Sequence, residues 1–230
     1  MKKHLIGAIV LVAVLAFAGC GNNNQKNENT QDKEKPVPNQ MLIIVDPQVD
    51  FTTGTLATAK GPEAMDKLAE TIKKGVLKKY KCVIVTQDAH PENHCSFVEQ
   101  GGVFPAHCVQ GTKGMKVYPA LQKALDSNGK GVEILYLEKG NLPNKEEFSI
   151  FQNEENGSKL RKLIESKNFD GVDICGIATD YCVFETTKDL MEFYPASRIR
   201  IITNCIAAVD DNDTKLKDLM SENGITSITY

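Results

Sequence analysis

Residues 41–45, Met-Leu-Ile-Ile-Val, form a continuous apolar run that ends at Asp46, and this stretch decides the fold class. Apolar runs without polar alternation are typical of strands that are buried on both faces of a sheet. A second run of this kind, Cys-Val-Ile-Val-Thr, follows at 82–86. Between the two runs, Gly61-Pro62 opens a segment with apolar residues at helical spacing, and Pro is favoured in the first turn of a helix. The order strand, helix, strand predicts a parallel sheet with right-handed crossovers.

The same alternation continues to the end of the chain. We predict strands at 132–137, 172–177, 199–203 and 225–230, and helices near 116–126, 157–167, 180–193 and 213–222. The fold class is therefore predicted to be α/β, with helices on both faces of a parallel sheet. In such sheets, ligands bind outside the carboxyl ends of the strands. The residues at or just past those ends are Asp46, Asp88, Lys139 and Cys182.

Composition argues against a collagen-like, coiled-coil or wholly disordered protein. Hydrophobic residues make up 41% and charged residues 25% of the 230 residues, which is ordinary for a globular protein. The net charge is -3, so the chain lacks the excess of positive charge that is typical of nucleic-acid-binding proteins, and we expect no nucleic-acid partner. Seven cysteines are too few for a disulfide scaffold in a chain of this length.

The N-terminus has the features of an export signal. Lys2 and Lys3 precede an apolar run at 5–19, which ends at Cys20. This run is shorter than the roughly 20 residues that a membrane-spanning helix needs. The pattern resembles a bacterial lipoprotein signal, in which cleavage before Cys20 leaves that residue lipidated. An uncleaved short anchor is the alternative.

Three segments follow from this interpretation. Residues 1–19 are predicted to be a signal peptide, 20–40 a lipidated Cys with a flexible tether, and 41–230 a single folded domain. The tether is rich in Asn, Gln, Lys and Glu and cannot bury enough apolar surface to fold. We therefore expect the domain to lie outside the cytoplasm, anchored to the cell membrane through Cys20.

An irregular stretch at 88–115 contains every histidine of the folded domain, and it begins with Asp88. The three histidines are His90, His94 and His107. One carboxylate with two or three imidazoles is a normal ligand set for Zn²⁺, Fe²⁺ or Mn²⁺, so the spacing predicts one divalent metal site. One alternative is a polar surface loop without a metal. Another is a structural zinc with Cys95 and Cys108 as ligands.

A candidate nucleophile lies where the strand at 172–177 passes into a helix. Thr179 is a plausible N-cap, which would place Cys182 in the first turn. In that position the helix dipole favours a thiolate, and free backbone N–H groups could hold an oxyanion. The alternative is that Cys182 is an ordinary small buried residue. Because the histidines are assigned to the metal, Asp46 and Lys139 would have to activate the thiol.

Six motifs carry a resemblance to a known family. They are LIIVDPQVDF at 42–51, TQDAH at 86–90, FPAHCVQGT at 104–112, EKG at 138–140, FSIF at 148–151 and GIATDYCV at 176–183. In this order they resemble the nicotinamidase branch of the isochorismatase-like hydrolases. The resemblance implies a three-layer α/β/α fold with a six-stranded parallel sheet.

The resemblance also implies a role for each candidate catalytic residue. Cys182 would be the nucleophile, Asp46 would take the thiol proton, and Lys139 would hold Asp46. The backbone N–H groups of Ala178 and Cys182 would form the oxyanion hole. The peptide bond between Ile177 and Ala178 would be cis.

Finally, the resemblance implies a metal and a substrate. Zn²⁺ would be the first choice of metal, bound by Asp88, His90 and His107, with His94 as a further ligand in part of the family. The substrate nicotinamide, and also pyrazinamide, would be walled by Phe51, Phe104 and Phe148. Hydrolysis would give nicotinate and ammonia. The alternatives are an amidase for another small amide and a lipid-anchored protein that binds a small ligand.

Overall fold

The computed structural model describes residues 38–210 and 213–230. The predicted signal peptide, Cys20 and most of the predicted tether lie outside the described residues. Within the described residues, no helix is long and apolar enough to cross a membrane.

Six parallel strands form one sheet in the order β3-β2-β1-β4-β5-β6. The strands are β1 (Gln40–Val45), β2 (Cys82–Asp88), β3 (Glu133–Lys139), β4 (Gly171–Ile177), β5 (Ile199–Ala207) and β6 (Thr226–Ile228). This arrangement confirms the predicted six-stranded parallel sheet. The last strand is shorter than predicted, and β5 is longer.

Six α-helices connect the strands within the described residues. They are α1 (Val49–Thr52), α2 (Gly61–Lys73), α3 (Pro119–Asn128), α4 (Glu154–Lys167), α5 (Cys182–Met191) and α6 (Thr214–Asn223). The helix predicted near residue 116 begins only at Pro119, because the backbone of Lys116 instead accepts a hydrogen bond from Val49. Helix α4 begins before the predicted residue 157, because the Asn153 side chain caps it by accepting a hydrogen bond from the Asn156 N–H.

Alternate side chains of β1 enter two separate hydrophobic cores, which makes the domain three-layered. Leu42 and Ile44 pack with α2 and α3 on one face of the sheet. Met41, Ile43 and Val45 pack with α4, α5 and α6 on the other face. All five side chains are fully buried, and full burial of a side chain of this size contributes about 1.5–3 kcal/mol.

The centre of the sheet contains its topological switch point. The chain goes from β1 outward to β2 and β3 on one side, and then crosses back to β4, next to β1, on the other side. Connections therefore leave the carboxyl ends of β1 and β4 in opposite directions and open a crevice between them. Asp46 follows β1 and Ala178 follows β4, so both residues lie at this crevice.

Candidate active site

Asp46 is fully buried at the end of β1, and a hydroxyl group on β2 fixes one side of its carboxylate. The Thr86 hydroxyl accepts a hydrogen bond from the Asp46 backbone N–H at 3.1 Å and donates one to Asp46 Oδ1 at 2.7 Å. Asp46 Oδ2 accepts no hydrogen bond of good geometry from the described residues. This second oxygen therefore keeps a lone pair that can take a proton.

Lys139 is fully buried at the end of β3 and contacts two carboxylates. Its Nζ lies 3.0 Å from Asp46 Oδ2 and 2.5 Å from Asp88 Oδ1, and it donates a hydrogen bond to the Glu147 carbonyl oxygen at 3.0 Å. Burial opposes the charge, but Asp46 and Asp88 together hold the pKa of Lys139 well above its ordinary value. The side chain therefore remains a charged ammonium.

Cys182 is the first residue of α5, as expected, but the cap differs from the prediction. Tyr181 occupies the N-cap position and provides no side-chain cap. The prediction that Thr179 caps this helix is wrong, because its hydroxyl donates to Asp213 Oδ1 at 2.7 Å instead. The thiol-bearing residue is nevertheless in the first turn and is buried.

The thiol of Cys182 lies among the charged groups at the strand ends. Its Sγ is 3.6 Å from Lys139 Nζ, and it lies within 4.8 Å of carboxylate oxygens of Asp46 and Asp88. Burial raises the pKa of the Cys182 thiol well above its usual value, against the opposing effect of the Lys139 ammonium. Burial also raises the pKa of Asp46. A neutral thiol thus lies near a carboxylate whose proton affinity is increased.

Two backbone N–H groups near the thiol are free to bind a ligand. Among the described residues, the N–H groups of Ala178 and Cys182 donate to no other group. Both residues line the same pocket. The peptide bond between Ile177 and Ala178 is cis, as the resemblance implied. Unpaired amides beside a nucleophile can stabilise a developing oxyanion.

Asp88, His90 and His107 bring one oxygen and two ring nitrogens to the same place. Their ligand atoms lie within 4.8 Å of one another, and all three residues are buried. His90 Nδ1 donates to the Gly140 carbonyl at 2.9 Å, and His107 Nδ1 donates to the Pro105 carbonyl at 2.8 Å, which leaves lone pairs on both Nε2 atoms. His90 Nε2 is buried and has no hydrogen-bond partner in the described part of the chain. This donor set fits Zn²⁺ or a similar divalent ion.

His94 lies beside this cluster but uses both ring nitrogens within the protein. Its ring stacks on that of His90, with the centroids 3.9 Å apart. Nε2 donates to the Lys145 carbonyl at 3.0 Å, and Nδ1 lies 2.7 Å from Ser96 Oγ. Its nearest group of possible ligands consists of His90 and Glu146. A metal-binding role for His94 stays a prediction, since Nε2 would first have to release the carbonyl.

An aromatic pocket opens at the Cys182 thiol. Its lining includes the three predicted substrate residues, Phe51, Phe104 and Phe148. Sequence reasoning missed Tyr181, whose ring centroid lies 5.7 Å from that of Phe104 and 5.5 Å from that of Phe148. The pocket therefore has aromatic walls, with the thiol and the metal-ligand cluster on its polar side, and suits a flat aromatic ring with a polar substituent.

Two further positioning residues were not singled out from the sequence. Gln48 clamps the backbone of Asp88: its Nε2 donates to the carbonyl at 2.7 Å and its Oε1 accepts from the N–H at 2.8 Å. Glu147 Oε2 accepts a hydrogen bond from the Gly140 N–H at 2.8 Å. Gly140 has φ +65°, and a Cβ there would lie 2.5 Å from the His90 ring, so only glycine fits. A polar residue three positions after the end of β1 was a usable signal for Gln48, whereas nothing in the sequence pattern distinguishes Glu147.

Comparison with known proteins identifies the family of this arrangement. The profile of the isochorismatase domain matches residues 40–229. The chain belongs to the isochorismatase family. Within that family, it is 30% identical over 189 residues to a nicotinamidase of Escherichia coli (strain K12), covering 73% of this chain and 83% of that relative.

Solved structures with the same fold include proteins that contain a metal or a ligand. The pyrazinamidase of Pyrococcus horikoshii in complex with zinc is 30% identical, with a TM-score of 0.67, and the match covers 84% of this chain and 100% of that one. PnC1 from L. infantum in complex with nicotinate is 28% identical, with a TM-score of 0.70, and the match covers 84% of this chain and 93% of that one.

Proposed function

We propose that this isochorismatase-family protein is a nicotinamidase, which converts nicotinamide and water to nicotinate and ammonia. The observation that carries the proposal is the buried group of Cys182, Asp46 and Lys139 at an aromatic pocket. A protein that only binds a ligand has no need for a thiol placed beside a carboxylate and an ammonium. Relatives that are named nicotinamidase or pyrazinamidase, or were solved with nicotinate, support the substrate class.

In the first half of the reaction, Cys182 forms a thioester. Sγ bonds to the carboxamide carbon while Asp46 takes the thiol proton. Lys139 stabilises the charge that Asp46 carries before that transfer. The N–H groups of Ala178 and Cys182 hold the oxygen that becomes negative. The carbon–nitrogen bond then breaks, and the proton on Asp46 passes to the nitrogen, which leaves as ammonia.

In the second half, water cleaves the thioester. Asp46 takes a proton from the water as its oxygen bonds to the carbonyl carbon. The carbon–sulfur bond breaks and Sγ of Cys182 recovers the proton. The carboxylic acid so formed loses the remaining proton of the water to solvent and leaves as nicotinate, and the thiol and the Asp46 carboxylate return to their starting states.

The pocket side chains bind and orient the ring during both halves. Phe51, Phe104 and Phe148 would pack against its faces and edges. Asp88, His90 and His107 would hold a divalent metal, which we propose to be Zn²⁺, with Fe²⁺ or Mn²⁺ as alternatives. When bound, the ion supplies a Lewis-acid contact to the pyridine nitrogen and so orients the ring. His94 is the further ligand proposed from the family pattern.

A substrate panel tests the proposal. Ammonia release is measured for the zinc-loaded protein with nicotinamide, pyrazinamide and benzamide, which lacks the ring nitrogen. We expect nicotinamide and pyrazinamide to be hydrolysed, with kcat/KM for benzamide at least tenfold lower. Preferential hydrolysis of a different small amide would favour the second candidate within the family, and binding of nicotinamide without hydrolysis would favour a binding protein.

We also propose that the domain works outside the cytoplasm, anchored to the membrane through lipid on Cys20. The support is the basic start, the short apolar run and the terminal Cys within residues 1–20. A tether of about 20 extended residues reaches at most about 70 Å, enough to clear the headgroups. Cys20→Ala should lose lipid labelling and no longer pellet with membranes. Unprocessed wild-type protein in the cytoplasm would contradict this proposal and leave the chemistry untouched.

A further inference from the structure

The segment that leads into β2 forms an exposed basic strip. Residues 73–81 read Lys-Lys-Gly-Val-Leu-Lys-Lys-Tyr-Lys, without an acidic residue. Its five lysines are all exposed: Lys73, Lys74, Lys78, Lys79 and Lys81. Val76, Leu77 and Tyr80 between them are buried in the core. The backbone is therefore held in place while the lysines, here called the basic strip, project into solvent.

The basic strip contrasts with the charge of the chain as a whole. The net charge is -3 even though these five lysines contribute positively to it, so the remainder is strongly acidic. The acidic residues near the strip are Glu63, Asp66 and Glu70 on α2, Glu133 at the start of β3 and Asp170 just before β4, all exposed. Exposed Lys130 and Lys167 precede the last two of these by three residues each. Among the described residues, no lysine of the strip forms a salt bridge with a carboxylate, so no direct partner neutralises its charge.

The basic strip lies beside the amino-terminal ends of the strands. Helix α2 ends at Lys73 and β2 begins at Cys82, so the segment that carries the strip connects them at the amino ends of the strands. The carbonyl of Gln40, the first residue of β1, accepts a hydrogen bond from the Lys81 N–H at 2.8 Å. The chain that precedes β1 therefore reaches the domain next to the strip.

The aromatic pocket lies at the opposite end of the strands, beside their carboxyl ends. The six residues of β1 separate Gln40 from Asp46, and at about 3.3 Å per residue this strand is about 20 Å long. A surface that contacts the strip would thus leave the entrance of the pocket on the far side of the domain.

We propose that the basic strip binds the anionic headgroups of a lipid bilayer and holds the domain on the membrane with its pocket facing away. The proposal rests on the lipid anchor proposed above, because the chain from Cys20 reaches the domain at this same end of the strands. Each lysine near an anionic surface strengthens binding about fivefold. The anchor keeps the strip at a high effective concentration near the headgroups, so a modest attraction is sufficient.

Lysine footprinting of the lipidated full chain in vesicles tests the proposal. Vesicles of phosphatidylcholine alone are compared with vesicles that also contain phosphatidylglycerol, and a water-soluble reagent acetylates the lysines. The rate at each lysine is read by mass spectrometry. The exposed reference lysines are Lys113, Lys116, Lys123 and Lys162. We expect the strip lysines to react at least fivefold more slowly on the anionic vesicles, with this protection lost in high salt and the reference lysines unchanged.

Two charge-matched variants sharpen the test. The strip variant combines Lys73→Gln, Lys74→Gln, Lys78→Gln and Lys81→Gln. The control variant combines Lys113→Gln, Lys116→Gln, Lys123→Gln and Lys162→Gln. Lys79 is retained in both as the reporter, and its Nζ lies 4.7 Å from the centroid of the Tyr230 ring. We expect protection of Lys79 to disappear in the strip variant and to persist in the control, with nicotinamide hydrolysis unchanged in both.

The outcomes separate this proposal from the anchor. If the protein floats with both kinds of vesicle but its lysines react equally on both, the proposed contact of the strip with headgroups is wrong and the anchor stands. Protein that floats only with anionic vesicles would contradict the anchor and support the strip. Equal protection by soluble polyphosphate on phosphatidylcholine vesicles would overturn the choice of a bilayer as the partner.

Discussion

The ammonium of Lys139 lies 2.5 Å from Asp88 Oδ1, which joins the proposed nucleophilic centre to the proposed metal cluster. The same ammonium lies 3.0 Å from Asp46 Oδ2. One buried cation therefore compensates two buried carboxylates. The family resemblance implied only the contact with Asp46.

Because both carboxylates share this ammonium, we expect Lys139 to contribute to stability as well as to the proposed catalytic group. We expect Lys139→Met to abolish turnover and to lower the free energy of unfolding of the metal-free protein by about 3–5 kcal/mol, because both carboxylates lose their buried partner. Urea denaturation measures this, with Lys123→Met as the exposed control. Adding Asp46→Asn to Lys139→Met should recover part of the loss. A single variant within about 1 kcal/mol of the wild type would refute the buried pairing.

Metal binding should depend unequally on the three histidines. We expect about one divalent ion per chain, and a loss of zinc affinity of more than about 100-fold in His90→Ala and His107→Ala, since these two Nε2 lone pairs converge with Asp88. His94→Ala should lose less, because both of its nitrogens bond within the protein. Competition with a chromophoric chelator gives each affinity. Equal losses in all three variants would establish His94 as a full ligand.

Glu147 should act as a positioning residue for the metal cluster. Its carboxylate holds the Gly140 N–H, and the Gly140 carbonyl in turn orients His90. Glu147→Ala should therefore weaken zinc binding about 10–100-fold. Glu147→Gln, which keeps an acceptor oxygen, should restore most of the affinity. The exposed Glu138→Gln serves as the control. Unchanged zinc affinity in Glu147→Ala, despite a fall in stability, would reduce its role to a structural one.

A second buried charge lies near the amino end of β4, far from the pocket, and we expect its removal to affect stability alone. Asp173 is fully buried, accepts two hydrogen bonds from Arg200 at 2.6 and 2.9 Å, and accepts one from the Tyr80 hydroxyl at 2.5 Å. Asp173→Asn should lower the free energy of unfolding by about 3 kcal/mol. Its kcat and KM in native conditions should match those of the wild type. Asp218→Asn, on the exposed face of α6, is the control. A large change in KM would show that this network reaches the pocket.

The sequence correctly predicted the strands that are buried on both faces, because such strands appear as continuous apolar runs. β1 and β4 lie at the centre of the sheet, so apolar runs were sufficient to find them. The predicted end of β5 was too early, because the strand continues through the polar Asn204 to Ala207 after a shift in its register with β4. Register shifts depend on neighbouring strands and leave no local signal.

The candidate site could be predicted where chemistry and position in a strand coincide. Asp46, Asp88 and Lys139 were found because each stands at the carboxyl end of a parallel strand. Thr86 and Glu147 were missed because their roles depend on distances across the fold. An inward-facing hydroxyl in an apolar strand and an acidic residue in a polar loop look ordinary in sequence.

The central claim is that Cys182 hydrolyses nicotinamide, and nicotinate formation by Cys182→Ala tests it most directly. Zinc-loaded wild-type protein, Cys182→Ala and the buried-thiol control Cys205→Ala are compared at equal folded concentration. We expect the wild type and Cys205→Ala to release nicotinate and ammonia in equal amounts. We expect Cys182→Ala to lose at least about 10³-fold in kcat, since removal of a nucleophile disables the whole catalytic unit. Folded, metal-loaded wild-type protein that leaves nicotinamide intact, or a Cys182→Ala variant that retains more than a few per cent of kcat, would contradict the account.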